Sequence, residues 1–206
     1  MMNFNEGGGM AMTRILFVCT GNTCRSPLAE AMLREMAAAA GVDVSVKSAG
    51  VAASGRIPIS AHSARILQDK NIGTAHVSQS LTNELVGWAD LILTMTAGHK
   101  RALLQLYPSS VDKTYTLKEF TEDDEATKAA IAELNELHGD YQLKQALGQP
   151  IEPGQVSRML ELEKRIPGYD VADPFGGSLD EYRRCASEIE LALGKLLHKL
   201  RENGHF

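Results

Sequence analysis

Cysteine is scarce in this sequence, and its scarcity narrows the class of protein. The 206 residues include three cysteines, Cys19, Cys24 and Cys185. Three cysteines are few, and an odd number cannot all pair within one chain. This excludes a secreted scaffold that is stabilised by many disulfides. A reducing compartment is therefore expected, and the predicted location is the cytoplasm. In that compartment a cysteine with special surroundings is more often reactive than structural.

Long apolar runs and an excess of basic charge are also missing. No stretch approaches the roughly 20 apolar residues that cross a bilayer, and the formal net charge is −5. A mildly acidic chain has no bulk attraction to nucleic acid or to an anionic membrane surface, so neither is predicted as a partner. Residues 1–12 lack the basic start and apolar core of a secretion signal, and we expect a disordered tail there.

Apolar runs typical of buried strands alternate along the chain with patterns typical of amphipathic helices. This alternation predicts an α/β fold. We expect one domain, residues 13–206, with a central parallel sheet of four strands and helices on both faces. Residues 121–167 are charged, helix-prone and poor in large apolar side chains, and they predict a helical insertion. Strands are predicted at 14–18, 42–48, 90–95 and 114–117, and helices at 27–40, 61–70, 97–106 and 178–200.

The first predicted strand ends in an eight-residue segment that leads directly into a helix. Ligands of parallel α/β folds bind beyond the carboxyl ends of strands. Backbone N–H groups in a tight loop and at a helix N-terminus cradle an anion, and an arginine adds a planar fork for two phosphate oxygens. Glycine and asparagine permit the unusual torsions of such a loop. The segment therefore predicts a phosphate-binding loop made of Cys19, Thr20, Gly21, Asn22, Thr23, Cys24, Arg25 and Ser26.

The same loop predicts nucleophilic chemistry at Cys19. A helix N-terminus and a nearby cation favour the thiolate form of a cysteine, and a thiolate facing a bound phosphorus displaces the leaving group to form a phosphocysteine. Ser26 is predicted to donate a hydrogen bond to the departing thiolate and to cap the helix. The leaving group needs a proton donor, and the best candidate is Asp173 in an Asp-Pro-Phe-Gly-Gly loop. Asp-Pro is also a common turn, so the residues alone leave this role open.

These motifs resemble those of the low-molecular-weight protein tyrosine phosphatase family. The resemblance covers residues 14–117 and 173–200, and it places the family's Cys-x5-Arg-Ser loop on Cys19, Arg25 and Ser26. It implies that Asp173, in an Asp-Pro-aromatic motif, is the general acid. It also implies that a serine and a histidine from elsewhere in the chain hold the asparagine of the loop; these residues are Asn22, Ser48 and His76.

Thr23 narrows the resemblance to a subgroup of the family. Tyrosine-directed members usually carry a larger aliphatic residue there, whereas Cys-Thr-Gly-Asn-Thr-Cys-Arg-Ser-Pro resembles the bacterial protein arginine phosphatases, as does Met95-Thr96-x-x-His99. A hydroxyl at this position suits the polar, planar guanidinium of phosphoarginine. Phosphorylated proteins are then the expected partners, with phosphoarginine as the expected target and phosphotyrosine as the alternative.

Further predictions concern the substrate pocket and redox control. Thr23, Ala52 and Phe175 are predicted to set specificity, with Phe175 on an apolar rim and Ala52 as a thin wall where the resemblance implies a bulkier side chain. Cys24 follows Cys19 by five residues. We expect the two to close a reversible disulfide that protects the nucleophile from over-oxidation.

Other functions remain open at this point. Thiol-dependent arsenate reductases share the loop, but they need further cysteines to pass a disulfide outward, and only Cys185 lies outside the loop. A phosphate-binding module without catalysis needs neither Cys19 nor Asp173. The six histidines show no paired ligand spacing such as His-x-x-x-His, so neither a metal nor another cofactor is predicted.

Overall fold

A computed structural model of the chain describes residues 12–122 and 124–203. Within them lies a four-stranded sheet of order β2-β1-β3-β4, in which every neighbouring pair is parallel. This confirms the predicted α/β fold. The tail predicted for residues 1–12 lies outside the described residues, apart from Met12. The strands are β1 (Thr13–Cys19), β2 (Val44–Gly50), β3 (Leu91–Thr94) and β4 (Thr114–Thr116).

Helices follow the strands as the alternation predicted, and short elements that the sequence patterns did not indicate lie between them. The helices are α1 (Arg25–Ala40), α2 (Ala61–Asp69), α3 (Asn83–Trp88), α4 (Ala97–Leu106), α5 (Leu117–Phe120), α6 (Glu125–Ala146), α7 (Pro153–Arg165) and α8 (Leu179–Asn203). The unexpected elements are α3, α5 and a short 3-10 helix, Pro108–Lys113. None of the helices in the described part of the chain has the length and apolar character to span a bilayer.

The central strand, β1, separates two apolar cores. Side chains alternate between the faces of a strand, so Ile15 and Phe17 enter one core while Leu16 and Val18 enter the other. Helices α1, α2 and α8 supply the first core, and α3 and α4 supply the second. Each of these four fully buried side chains contributes about 1.5–3 kcal/mol through burial. Both faces of the sheet are thereby covered, and the end of β1 lies between the two cores.

Helix α1 begins at Arg25, two residues before its predicted start, and the predicted helix cap is wrong. Cys24 occupies the cap position without a capping side chain, and Ser26 lies inside the first turn. The reason is that the Ser26 hydroxyl lies 3.0 Å from the Sγ of Cys19 and accepts a hydrogen bond from the Asn22 side chain. The first N–H groups of a helix have no hydrogen-bond partner within the helix. Those of α1 are therefore available to bind a ligand in the loop.

Residues Glu122–Gly168 form a compact unit that is distinct from the unit holding the sheet. This second unit contains α6 and α7, which fall within the stretch for which a helical insertion was predicted. The guanidinium of Arg158 joins the two helices by a forked contact to Glu133, with distances of 2.6 and 2.8 Å. The side chain of Gln155 adds a hydrogen bond of 3.0 Å to the Asp140 carboxylate.

Candidate active site

A cavity of about 230 Å³ opens at the carboxyl end of β1. The chain runs from β1 to β2 on one side and to β3 on the other, and such a switch point is where parallel α/β sheets bind ligands. The predicted loop supplies six of the lining residues, and Asp173 and Phe175, before α8, supply the other two. The lining residues are Cys19, Thr20, Gly21, Thr23, Cys24, Arg25, Asp173 and Phe175.

The thiol of Cys19 lies at the base of this cavity and is surrounded by donors. Its Sγ lies 3.0 Å from the Ser26 hydroxyl and accepts a hydrogen bond of 3.3 Å from the Asn22 backbone N–H. Because the Asn22 side-chain amide donates to the Ser26 oxygen at 2.9 Å, the proton of that hydroxyl is free to point at the sulfur. The arrangement therefore suits a sulfur that carries negative charge.

Asn22 adopts a left-handed backbone conformation, with φ of 55°. This conformation is unfavourable by roughly 1–2 kcal/mol for an ordinary residue, although asparagine tolerates it better. Four hydrogen bonds offset it. The amide nitrogen donates to Ser26 and Ser48, the amide oxygen accepts from the Gln79 N–H, and the backbone carbonyl lies 2.9 Å from the Nε2 of His76. Ser48 and His76 thus lie where the resemblance implied.

Gly50 pairs with Cys19 in the sheet register and faces the loop closely. A Cβ at this position would come within 2.5 Å of the Thr20 carbonyl oxygen and 3.0 Å of the Asn22 nitrogen, so only glycine fits. The next backbone N–H groups, of Val51 and Ala52, donate to the carbonyls of Cys19 and Thr20. Ala52 therefore contacts the loop through its backbone. Its side chain is exposed and does not line the cavity, which corrects the predicted wall.

Arg25 and Asp173 both line the cavity and are in direct contact, although they lie 148 positions apart in the chain. The Arg25 side chain is almost fully buried, and it donates to the Val171 carbonyl at 3.3 Å and to the Asp173 carboxylate at 2.8 Å. The Asp173 side chain is 53% exposed, so this carboxylate faces both the arginine and solvent. Its second oxygen accepts the N–H of Phe175, whose side chain is 80% exposed at the cavity rim.

Cys24 lines the same cavity and belongs to a second polar contact. Its Sγ lies 3.2 Å from the hydroxyl of Tyr182 on α8 and 3.6 Å from the hydroxyl of Thr23. Burial raises the pKa of Tyr182 to about 12, and the hydrogen bond to Cys24 acts in the same direction, so the phenol stays protonated. The three cysteines are free thiols, and burial raises the pKa of Cys185 to about 12.

His99 lies in the first turn of α4, and its side chain contacts the loop. Its Nε2 lies 2.8 Å from the Thr20 hydroxyl, and its Nδ1 lies 2.9 Å from the Thr96 hydroxyl. Burial, followed by the positive charge of Arg25, lowers the pKa of His99 to about 4. The ring is therefore neutral at neutral pH.

Comparison with known proteins identifies this arrangement. Residues 14–147 match the family model described as low molecular weight phosphotyrosine protein phosphatase. The chain belongs to this family. Its members are phosphatases, and the chain is accordingly a hydrolase of this class, as the loop and the resemblance predicted.

Individual relatives cover almost the whole chain. The protein-arginine-phosphatase of Geobacillus stearothermophilus is 36% identical over 187 residues, which are 91% of this chain and 95% of that protein. The protein-arginine-phosphatase of Bacillus subtilis (strain 168) is 35% identical over 92% of this chain and 97% of that protein. A solved structure described as a YwlE arginine phosphatase mutant with a phosphorylated active site serine is 34% identical. It covers 93% of this chain and 97% of its own, with a TM-score of 0.69.

The structure brings residues to this phosphatase site to which the sequence patterns assigned no role. Glu30 accepts a hydrogen bond of 2.6 Å from Ser48 and lies 3.8 Å from the Nδ1 of His76, while the Gln79 side chain donates to the Ser48 carbonyl. Glu30 lies four residues after Ser26, on the same face of α1, and that spacing was a usable signal. Gln79 had none, because it lies in an irregular segment.

Proposed function

We propose that this phosphatase removes the phosphoryl group from phosphoarginine in proteins. The observation that carries the proposal is Thr23, which lines the cavity together with the Cys19 thiol. The only partner of its hydroxyl among the hydrogen bonds of the described residues is the sulfur of Cys24 at 3.6 Å, a weak contact, so the hydroxyl can turn towards a guanidinium. The two protein-arginine-phosphatase relatives support this choice.

The first step transfers the phosphoryl group to the enzyme. The Cys19 thiolate attacks phosphorus and forms an S–P bond while the P–N bond to the arginine breaks. The electron pair of that bond passes to the guanidino nitrogen, which takes a proton from Asp173 in the same cavity. The products of this step are arginine in the protein and a phosphocysteine. The solved relative with a phosphorylated active site serine supports phosphoryl transfer to a loop nucleophile.

The second step releases inorganic phosphate. Water attacks the phosphocysteine and gives a proton to the Asp173 carboxylate, while the S–P electron pair returns to sulfur. The Ser26 hydroxyl and the Asn22 N–H, at 3.0 and 3.3 Å from that sulfur, stabilise the departing thiolate. Asn22 stays in place because its own side chain is held by Ser26, Ser48 and Gln79.

Arg25 and the loop amides hold the phosphoryl group through both steps. The guanidinium donates from one terminal nitrogen to the Val171 carbonyl and from the other to the Asp173 carboxylate, and Arg25 lines the cavity. The buried Nε of Arg25 has no hydrogen-bond partner among the described residues, and an equatorial phosphoryl oxygen would supply one. Charge that develops on those oxygens is therefore met by groups already in place.

We further propose that the enzyme acts in the cytoplasm on phosphorylated proteins. Its nucleophile works as a reduced thiolate, and its three cysteines are free thiols. A reducing compartment keeps them so.

Substrate preference tests the proposed function directly. On matched peptides, we expect kcat/KM for phosphoarginine to exceed that for phosphotyrosine by at least about ten-fold, which is about 1.4 kcal/mol of transition-state discrimination. Thr23→Ile removes the hydroxyl and adds bulk, and it should reduce this ratio by about ten-fold. Thr23→Val removes the hydroxyl with little change of size and separates the two contributions. A wild-type preference for phosphotyrosine would leave the thiolate mechanism intact and overturn the substrate.

Peroxide sensitivity tests the predicted role of Cys24. Peroxide oxidises the Cys19 thiolate to a sulfenic acid, and the Cys24 thiol then displaces water from it to form a disulfide. We expect dithiothreitol to restore most of the wild-type activity, whereas Cys24→Ser should recover less than about a tenth because its sulfenic acid oxidises further. Cys185→Ser is the matched control and should recover as the wild type does. Equal recovery by Cys24→Ser would show that no protective disulfide forms.

A further inference from the structure

The loop residue next to the nucleophile is tied to α4 by a chain of three side chains. Thr20 lines the cavity, and its hydroxyl lies 2.8 Å from the Nε2 of His99. The other ring nitrogen lies 2.9 Å from the hydroxyl of Thr96, which caps α4 by accepting the His99 backbone N–H. His99 is only 8% exposed, so the ring is fixed by these two contacts and by its surroundings.

Counting protons determines the direction of these hydrogen bonds. A neutral imidazole carries one N–H, and each threonine hydroxyl carries one proton, so three protons are present for two hydrogen bonds. The Thr96 hydroxyl already accepts the His99 backbone N–H at 3.2 Å, which leaves it to act as a donor towards the ring. If Nε2 carries the ring proton, Thr96 donates to Nδ1 and Nε2 donates to Thr20. The proton left over is then that of Thr20, an exposed residue that lines the cavity.

We propose that Thr20 is a further catalytic residue, which donates its hydroxyl proton to the phosphoryl group, and that His99 is the positioning residue that turns it there. The proposal rests on the thiolate mechanism proposed above. It adds a hydroxyl donor to the groups that hold the phosphoryl oxygens, which are the backbone amides of the loop and the guanidinium of Arg25. Such a donor strengthens as negative charge grows on the phosphoryl oxygens in the transition state.

The surroundings of Thr20 support this assignment. Its backbone carbonyl is held by the Ala52 N–H at 3.0 Å, so the residue cannot swing out of the loop. Nδ1 accepts the Thr96 proton only while the imidazole is neutral, because a protonated ring donates from both nitrogens. Burial and the charge of Arg25 oppose protonation, against a weaker attraction from Asp173 and Asp170, and the pKa of His99 is lowered to about 4.

The test is a double-mutant cycle on Thr20 and His99 with para-nitrophenyl phosphate, whose turnover does not depend on a preference for phosphoarginine. Thr20→Val should lower kcat by about ten-fold with KM changed less than about two-fold, because the lost interaction is stronger in the transition state than in the bound substrate. The affinity for orthovanadate should fall by about the same factor, and the affinity for inorganic phosphate should change less. Thr20→Ser keeps the hydroxyl and should stay within about three-fold of wild-type kcat.

The second arm of the cycle tests the positioning role. His99→Phe should also lower kcat by about ten-fold, and the double variant should lose no more than about two-fold beyond Thr20→Val alone. Thr82→Val is a control, because it removes a similar hydroxyl that caps α3. It should lower the Tm and leave kcat near the wild-type value.

Specific outcomes would overturn the proposal. Wild-type kcat in Thr20→Val removes the catalytic role, and multiplicative losses of about 100-fold in the double variant remove the positioning role. If His99→Phe does not fold, as judged by its Tm, the comparison of Thr20→Val with Thr20→Ser decides. A wild-type protein that does not hydrolyse para-nitrophenyl phosphate would contradict the thiolate mechanism itself, and this proposal with it.

Discussion

Replacing Cys19 by serine is expected to lower kcat by at least about 10⁴-fold, because a serine hydroxyl is a much weaker nucleophile and a poorer leaving group than a thiolate. A serine hydroxyl is far less ionised than a thiol at neutral pH, and it lies in a site whose donors surround a sulfur at 3.0 and 3.3 Å. Binding should survive, since Arg25 and the loop amides remain. Steady-state kinetics with a phosphoarginine peptide measures the first effect, and titration with inorganic phosphate measures the second.

The matched control is the replacement of another cysteine by serine, which tests whether the loss of activity depends on removing the nucleophile. Cys185 is buried on α8, and burial raises the pKa of its thiol to about 12, so it is a neutral side chain in the core. Cys185→Ser should therefore lower the Tm but keep most of the activity. A Cys19→Ser protein that kept more than about 1% of wild-type kcat would be incompatible with a phosphocysteine intermediate.

Asp173→Asn is expected to lower kcat by about 10²–10⁴-fold, the usual contribution of a positioned general acid. The asparagine keeps the shape of the side chain, and its amide oxygen can still accept from Arg25, which donates to the carboxylate at 2.8 Å in the wild type. What it cannot do is deliver a proton to the leaving nitrogen. The loss should therefore appear mainly in kcat, with the affinity for inorganic phosphate changed much less.

The leaving group makes this second prediction specific. The loss of kcat/KM in Asp173→Asn should be smaller for para-nitrophenyl phosphate, whose phenolate leaves without protonation, than for phenyl phosphate, whose phenolate is more basic. Asp180→Asn is the control, since Asp180 is an exposed carboxylate paired with Arg183 at 3.0 Å on α8. It should behave as the wild type on both substrates. An equal loss of kcat/KM, which reports the phosphoryl transfer to the enzyme, on both substrates in Asp173→Asn would assign the acid to another residue.

The loop from Cys19 to Ser26 was predictable because its signals are local. An apolar strand, a run of anion-binding residues and a helix follow one another without a gap, and their chemistry depends on neighbours in sequence. The cap of α1 was missed for a related reason. A serine before a proline has the local character of a helix cap, but the Ser26 hydroxyl is taken by Cys19 and Asn22 instead. The helix-capping propensity of serine does not take into account such competing contacts in the fold.

The sequence patterns did not indicate the short helices or the contacts between residues that are far apart in the chain. Helices α3 and α5 are six and four residues long, too short to show a period of 3.6. Ala52 was expected in the pocket from its place in the chain, but its side chain is exposed beside the loop, and only its N–H reaches Thr20. The direction of a side chain in an irregular segment follows from the backbone around it, and no spacing rule describes that.

The sequence by itself therefore determined the α/β fold, and it predicted the phosphate loop and its nucleophile, since periodicity and a contiguous motif carry that information. Tertiary structure decided which distant residues complete the site. Asp173 reaches Arg25 across 148 positions, and His99 reaches Thr20 across 79. Such contacts arise because parallel strands bring their carboxyl ends to one edge of the sheet. The residues that meet there are separated in the chain by whole strands and helices, so their proximity exists only once the sheet has formed.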